Sequence, residues 1–361
     1  MSEPRKEVLQ HSGDAGWVPT PRRPAELRRV AEELGKHDDW LIVTHERPDG
    51  DAVGSALAMA CILTAIGKRW TFGVGETLPV RFSFLPHFGQ AIILDDSHAA
   101  KFHAVVAVDC ADARRFRYAA SAIAKDACVV NIDHHPTNPA YGTVNMVDSE
   151  AAATCELGYQ IARELSLPMD EDLAKCLYTG ILTDTGGFAQ PNTTRAVHQI
   201  AAELLASGVQ PYDIAGPALE ARTWKQTELL KKSLTTLTLF EGGLGASLYV
   251  TREMLDSTGC SDDDTEILVG FARAIDSVEV GMMFKELADG RVKVSLRSKR
   301  CVDVARVAQS FSGGGHVRAA GCELTEDLET AMQLVQGKVQ EALMEAADCI
   351  AGYSSSISQR D

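Results

Sequence analysis

Apolar positions along this chain fall into short unbroken runs with helix-spaced sets between them. Trp40-Leu41-Ile42-Val43-Thr44, Ala104-Val105-Val106-Ala107-Val108 and Cys128-Val129-Val130-Asn131-Ile132 are continuous and mostly β-branched. Such runs predict strands buried on both faces, as in a mostly parallel sheet covered by helices. Before the first run, Leu27, Val30, Ala31 and Leu34 recur at helical spacing, and Gly35 can end that helix. After it, a helix is expected from Asp51, with Val53, Leu57, Ala60 and Leu63 on one side and Gly67 at its end. Residues 151–232 read as nearly all helix, in segments Ala151–Leu165, Glu171–Thr183 and Thr194–Ala206. Near Ser233 the period shortens. Ser233–Glu241, Leu244–Thr251, Ser277–Leu287 and Arg291–Ser298 then read as strands, with hairpin turns at Gly242-Gly243 and Asp289-Gly290.

The expected fold class is α/β. A doubly wound, mostly parallel domain over 24–220 is joined by a helical linker, 221–235, to a smaller α/β domain over 236–350. Residues 1–23, with Pro4, Pro19 and Pro21, read as a flexible lead-in, and 351–361 as a disordered tail. A length of 361 residues fits two domains, and 45% hydrophobic content is enough for two cores. There is no repeat and no low-complexity tract.

Composition narrows the setting. No apolar stretch approaches the roughly 18 residues of a membrane helix, and Met1–Thr20 lacks a signal layout, so a soluble, cytoplasmic protein is expected. The nine cysteines form no C-x-x-C pair, which argues against a disulfide framework or a thiolate zinc site and for a reducing compartment. The net charge of −15 argues against a protein that grips long nucleic acid through many phosphates. A small anion held by metals and a few local cations remains open.

The chemistry-bearing residues collect at strand ends. His45-x-x-x-Asp49-x-Asp51 follows the first strand, with Pro48 and Gly50 interrupting regular helix. An imidazole with carboxylates suits a transition metal such as Mn²⁺. Asp49 and Asp51 are also in place to cap the next helix. Asp109 ends the second run, and Asp133-His134-His135 ends the third. Asp184, in Thr183-Asp184-Thr185-Gly186, closes a helical segment, where the helix dipole disfavours negative charge unless a cation is near. Together these are five carboxylates and three imidazoles on four loops, a donor set that suits a pair of metals sharing one carboxylate.

The order H-E-R-P-D-G-D-A-V-G-S from His45, then V-D at Asp109, D-H-H at Asp133 and T-D-T-G at Asp184 resembles the motifs of the DHH phosphoesterase superfamily. Gly313-Gly314-Gly315-His316-x-Arg318-Ala319-Ala320-Gly321 resembles the signature of the DHH-associated C-terminal domain. The resemblance spans about residues 24–345 and points to the two-domain oligoribonuclease (nanoRNase)/pAp phosphatase group. It implies two Mn²⁺ per subunit, with other divalent ions possible. His45, Asp49 and Asp109 would hold one, and Asp51, Asp109, His134 and Asp184 the other, with Asp109 as bridge. His135 would face the substrate phosphate or assist the leaving oxygen, and Asp133 would orient the loop from behind.

In the second domain, Val292, Val294 and Leu296 alternate with Lys293, Ser295 and Arg297, and Arg297, Lys299, Arg300, Arg306 and Arg318 make a local basic patch. Three consecutive glycines form either a flexible turn or a loop whose amides approach a phosphate. The resemblance implies that Arg297, Ser298, Gly313, Gly314, Gly315, His316 and Arg318 bind substrate in a cleft between the domains. It implies short RNA oligonucleotides, linear dinucleotides such as pApA and pGpG, or 3′-phosphoadenosine 5′-phosphate (pAp) as substrates. It leaves room for a homodimer, and implies neither a membrane nor long duplex nucleic acid as partner. A RecJ-like single-strand exonuclease and a catalytically silent nucleotide sensor are the alternatives; the latter would be favoured by a missing ligand, and none is missing.

Overall fold

In the computed structural model, residues 21–99 and 101–357 are described. The chain divides into two units, one ending at Ala221 and the other starting at Arg222. The expected lead-in lies outside the described residues as far as position 20, and so do positions 358–361 of the expected tail.

The first unit runs α1 (Pro24–Lys36), β1 (Trp40–Val43), α2 (Gly50–Ala65), β2 (Trp70–Val74), β3 (Ile92–Ile93), β4 (Phe102–Val108), β5 (Ile123–Asp133) and β6 (Val144–Val147). Four helices follow: α3 (Thr154–Glu164), α4 (Glu171–Asp184), α5 (Arg195–Ala206) and α6 (Pro211–Ala215). The six strands form one sheet in the order β3-β2-β1-β4-β5-β6, and every pairing is parallel. The chain winds outward from β1 to one edge, returns to β4 beside β1, and winds to the other edge. The order reverses between β1 and β4, and such a switch point leaves a crevice at the carboxyl ends of the two strands. Every residue of β1 is fully buried, and Val105–Val108 of β4 are nearly so. Burying side chains of this size contributes about 1.5–3 kcal/mol each.

Helices α2 and α4 approach closely because glycines line their contact. A Cβ on Gly54 would lie 2.8 Å from the Cys176 carbonyl oxygen, and one on Gly180 would lie 2.5 Å from Asp51 Oδ1. Close backbone approach of this kind fixes where the first turn of α2 sits relative to the end of α4. Arg22 also belongs to this packing. Its Nε donates to Asp148 Oδ2 at 2.6 Å and its Nη2 to Glu156 Oε1 at 3.2 Å, which pins the end of the expected lead-in.

The second unit begins with α7 (Trp224–Leu234), and Leu229 of that helix is buried in the unit's own core. There follow β7 (Thr238–Phe240), β8 (Gly245–Val250), α8 (Arg252–Thr258), α9 (Leu268–Ala274), β9 (Val280–Glu286) and β10 (Val292–Ser298). Then come α10 (Val304–Gln309), β11 (Gly314–His316), β12 (Ala319–Leu324), α11 (Leu328–Glu345) and α12 (Ala347–Ile357). The sheet order is β11-β12-β10-β9-β8-β7, antiparallel throughout except for β8 with β9.

Several expectations are corrected. Ser233 and Leu234 belong to α7, and the strand expected there begins at Thr238. Two of the three glycines are part of an edge strand: Gly314–His316 pairs with β12, and Gly313 stands just before it. The helix α12 reaches Ile357, inside the stretch expected to be unstructured. The cysteines are not all free, because Cys301 and Cys349 are bridged. The bridge joins positions 48 residues apart, so no local spacing could announce it. Cysteine usage therefore no longer argues for a reducing compartment. No helix among the described residues is long and apolar enough to cross a membrane.

Candidate metal centre

The chemistry-bearing residues gather at the switch point. His45 lies two residues past β1 and is buried. Its Nδ1 is bonded to the Glu46 carbonyl oxygen at 2.8 Å, so Nδ1 carries a proton and Nε2 is the ring nitrogen turned to the site. Nε2 faces Asp109 Oδ2 at 3.6 Å. Asp109 follows β4 in a left-handed conformation, φ 54°, while its N–H still donates to the Ile132 carbonyl. The left-handed turn breaks the strand there, a conformation that Asp tolerates better than most residues.

Asp49 is the N-cap of α2: its Oδ1 accepts from the N–H groups of Asp51 and Ala52. That leaves Oδ2, so the capping role does not exclude a metal role. Asp51 is not a cap of its own helix. It is fully buried in the first turn of α2 and caps α3 instead, accepting from Thr154 N–H at 2.6 Å and Cys155 N–H at 2.9 Å. Helix α3 needs this, since its own N-cap position is Ala153 and gives no side-chain bond.

His134 Nε2 lies 3.2 Å from Asp184 Oδ2 and 3.6 Å from Asp109 Oδ1, and its Nδ1 is 3.3 Å from the Ala151 carbonyl oxygen. His135 Nδ1 is 2.8 Å from Asp133 Oδ1 and 3.6 Å from Asp109 Oδ1. Asp133 is fully buried, and its Oδ2 also accepts from Asn138 Nδ2 at 2.6 Å. Asp184 is the last residue of α4, where the dipole opposes its charge.

Three sets of donor atoms are close enough to hold one ion each: His45, Asp49 and Asp109; Asp51, His134 and Asp184; and Asp109, His134 and His135. The electrostatics favour a cation at these donors. Burial, then Asp109 and Asp184, push the Asp51 carboxyl well above the usual carboxylate range. Burial pushes Asp184 up to about 6, against the opposing pull of His134. Burial alone would lower His134, but Asp184, Asp51 and Asp109 together raise it to about 10. Buried carboxylates this close repel one another and would hold protons unless a cation replaces them. The oxygen-rich donor set with imidazoles fits a divalent ion such as Mn²⁺ or Mg²⁺ better than a thiophilic one.

A cavity of about 290 Å³ opens beside His45, lined by Glu46, Arg47, Pro48, Val74, Gly75, Glu76 and Tyr118. Sequence reasoning missed the supports behind the donors. Asn192 Nδ2 bridges the Ala152 and Asp184 carbonyl oxygens, tying together the segments beneath His134 and Asp184. Thr154 Oγ1 donates to Asp109 Oδ1 at 3.2 Å. These partners are 40 and 45 residues apart in sequence, and only the fold brings them into contact.

The residues expected to touch substrate in the second unit are placed as follows. Arg297 is half-buried on β10, with its guanidinium bonded to the Leu296 carbonyl. Ser298 is buried, and its hydroxyl donates to the Val302 carbonyl at 2.7 Å, which fixes the following loop. Arg318 Nη1 donates to that same carbonyl at 3.0 Å. Gly314, Gly315 and His316 are exposed along the sheet edge. A Cβ on Gly313 would lie 2.3 Å from the Gly321 carbonyl oxygen, so that glycine is required by packing.

The DHH family N-terminal domain matches residues 39–181, and the DHHA1 domain matches 246–351. A bifunctional oligoribonuclease and PAP phosphatase, NrnA, of Thermus thermophilus is 34% identical over 92% of this chain and 98% of its own length. An exopolyphosphatase-related protein of Bacteroides fragilis superposes with a TM-score of 0.81 at 24% identity, over 88% of this chain and 96% of that one. RecJ of Thermus thermophilus in complex with Mn²⁺ gives 0.52 at 14% identity, over 88% of this chain and 54% of that one. Those two likenesses speak to the fold. With both domains in order and a relative of 34% identity along nearly its whole length, this chain belongs to the DHH family, of DHH–DHHA1 architecture, and is a phosphoester hydrolase.

Proposed function

We propose that the protein is a two-metal, Mn²⁺-dependent phosphodiesterase of short nucleotides. It would release nucleoside 5′-monophosphates from oligoribonucleotides of a few residues and from pApA or pGpG, and AMP from pAp. The observation that carries this reading is the pair of donor sets, His45/Asp49/Asp109 and Asp51/His134/Asp184, which meet where His134 Nε2 lies 3.6 Å from Asp109 Oδ1. Asp109 is the proposed shared ligand. When bound, such ions polarise phosphoryl oxygens and make water a competent nucleophile near neutral pH. The protein's part is to hold the ligands in place. Asp51 is anchored by the α3 amides, and Asp49 by its own helix. His135, oriented by Asp133, is partly exposed and is the proposed group for the substrate phosphate or the leaving oxygen. Arg297, Gly313–Gly315, His316 and Arg318 are the proposed nucleotide-binding residues of the second unit, and Ser298 supports their loop.

The support beyond geometry is the name of the 34%-identical relative, whose two activities match these two substrate classes. The test is a panel of pAp, pApA, pGpG, RNA of two to five nucleotides, a long RNA and pyrophosphate, each with Mn²⁺. Monophosphate release from the short substrates, with the long RNA and pyrophosphate left intact, is expected. Preferential degradation of the long RNA would replace this reading with a RecJ-like one.

A further inference from the structure

Away from the Asp109 centre, α1 and β5 bring together a second group of metal-type donors. Glu33 lies in the last turn of α1, and His37 is the extended C-cap residue just past it, with its ring turned back to the Glu33 carboxylate. Cys128 lies on β5 against that carboxylate. His37 Nε2 is 3.4 Å from Glu33 Oε1, and Cys128 Sγ is 4.0 Å from the same oxygen. One donor atom from each of the three lies within 4.8 Å of the other two. Ligands of one tetrahedral ion at roughly 2.0–2.3 Å stand about 3.3–3.8 Å apart, so the group is within a few tenths of an ångström of two edges of a coordination tetrahedron. The second oxygen of Glu33 is held by Lys36 Nζ at 2.8 Å, which leaves Oε1 for His37 and Cys128. All three side chains are half-buried, which leaves the fourth position open to water.

A Glu33–His37 ion pair alone would explain two of these positions. It gives no reason for a thiol to face the same oxygen. A nitrogen, an oxygen and a sulfur donor together suit a borderline-soft ion such as Zn²⁺, and a thiolate discriminates against the hard Mn²⁺ and Mg²⁺. We propose that Glu33, His37 and Cys128 form a separate Zn²⁺ site with water as fourth ligand. Binding is balanced by one proton. The Cys128 S–H bond breaks, the thiolate takes the ion and the proton goes to solvent; Glu33 is already anionic and His37 binds as the neutral imidazole. Carboxylate and thiolate then neutralise the divalent charge. The ion would fasten the end of α1 to β5, the strand that ends at Asp133. The proposal does not depend on the substrate reading above.

The test is a Co²⁺ titration of the full-length protein followed by near-ultraviolet absorption, because a sulfur-to-cobalt charge-transfer band needs a thiolate ligand. The Asp109 donor sets contain no sulfur. A band that saturates, is bleached by Zn²⁺ and not by Mn²⁺, and is lost in Cys128→Ser is expected. His37→Gln should weaken Co²⁺ binding at least tenfold. Both variants change half-exposed positions, and circular dichroism checks that they fold. As a second measurement, Zn²⁺ should raise the Tm of wild type by more than that of either variant, because the Asp109 centre is intact in all three proteins. No band, or a band that persists in Cys128→Ser, would overturn the proposal.

Discussion

The buried carboxylate of Asp133 is divided between His135 Nδ1 and Asn138 Nδ2. Asp133→Asn removes the charge and turns one of the two acceptor oxygens into an NH₂ donor, which loosens the hold on the His135 ring, whereas Asn138 Nδ2 keeps the Cys110 carbonyl as acceptor. Asp133→Asn should therefore lower turnover by roughly 10–100-fold, the usual cost of losing a group that orients an active-site side chain. Steady-state kinetics against pApA checks this, and an unchanged rate would remove Asp133 from the account. Asp184 makes a second case. Burial raises its carboxyl to about 6 in the metal-free protein. A carboxyl raised on folding stabilises the fold fully below its unfolded value near 4, and that contribution is lost as pH rises through the folded value. His134, raised to about 10, runs in the same direction: its contribution is full below about 6.5 and is lost as pH rises through 10. Asp109, lowered mainly by His45 and the other histidines against the effect of burial, runs the other way and loses its contribution on acidification. Chelator-treated Asp184→Asn should thus melt above wild type at pH 7 and close to it at pH 4. Thermal melts of the two proteins at both pH values check the sign.

Among the elements, α2 and α4 set the site through their glycine contact. A methyl at Gly180 would press on Asp51 Oδ1 and Cys155 Sγ. Gly180→Ala should cost about 1–3 kcal/mol by overpacking and weaken Mn²⁺ binding, read by melts with and without the ion. The Cys301–Cys349 bridge ties the loop after β10 to α12. Reduction, or Cys349→Ser, should lower stability by about 2–4 kcal/mol, measured by denaturant unfolding with and without reductant. The sequence made some elements legible and hid others for physical reasons. The runs of β1, β4 and β5 stand out because both faces of those strands are buried. β6, Val-Asn-Met-Val, is too short and too polar to stand out, and Gly73 weakens β2. β11, made of Gly-Gly-His, has no strand propensity and exists by pairing with β12. The donors of the proposed metal centre were legible because each follows a strand or stands at a helix end. Their supports were not, since the bond from Thr154 to Asp51 spans 103 residues.

For the whole molecule, a net charge of −15 and a site built from clustered carboxylates argue for ions and short substrates over long polymers. Binding should depend on salt only weakly, because few phosphates are gripped by lysine or arginine. Loading the centre should stabilise the fold by mass action, about 2.7 kcal/mol at a hundredfold excess of Mn²⁺ over its Kd. The shared position of Asp109 joins these scales: it ends β4 at the switch point, takes part in two donor sets and accepts from Thr154. The most direct measurement is AMP release from pApA with Mn²⁺ by wild type and Asp109→Ala, each shown to be folded. Release by wild type and a loss of more than about 100-fold in the variant are expected, beyond the cost of losing a merely orienting group. Equal release by both proteins would contradict Asp109 as the shared ligand.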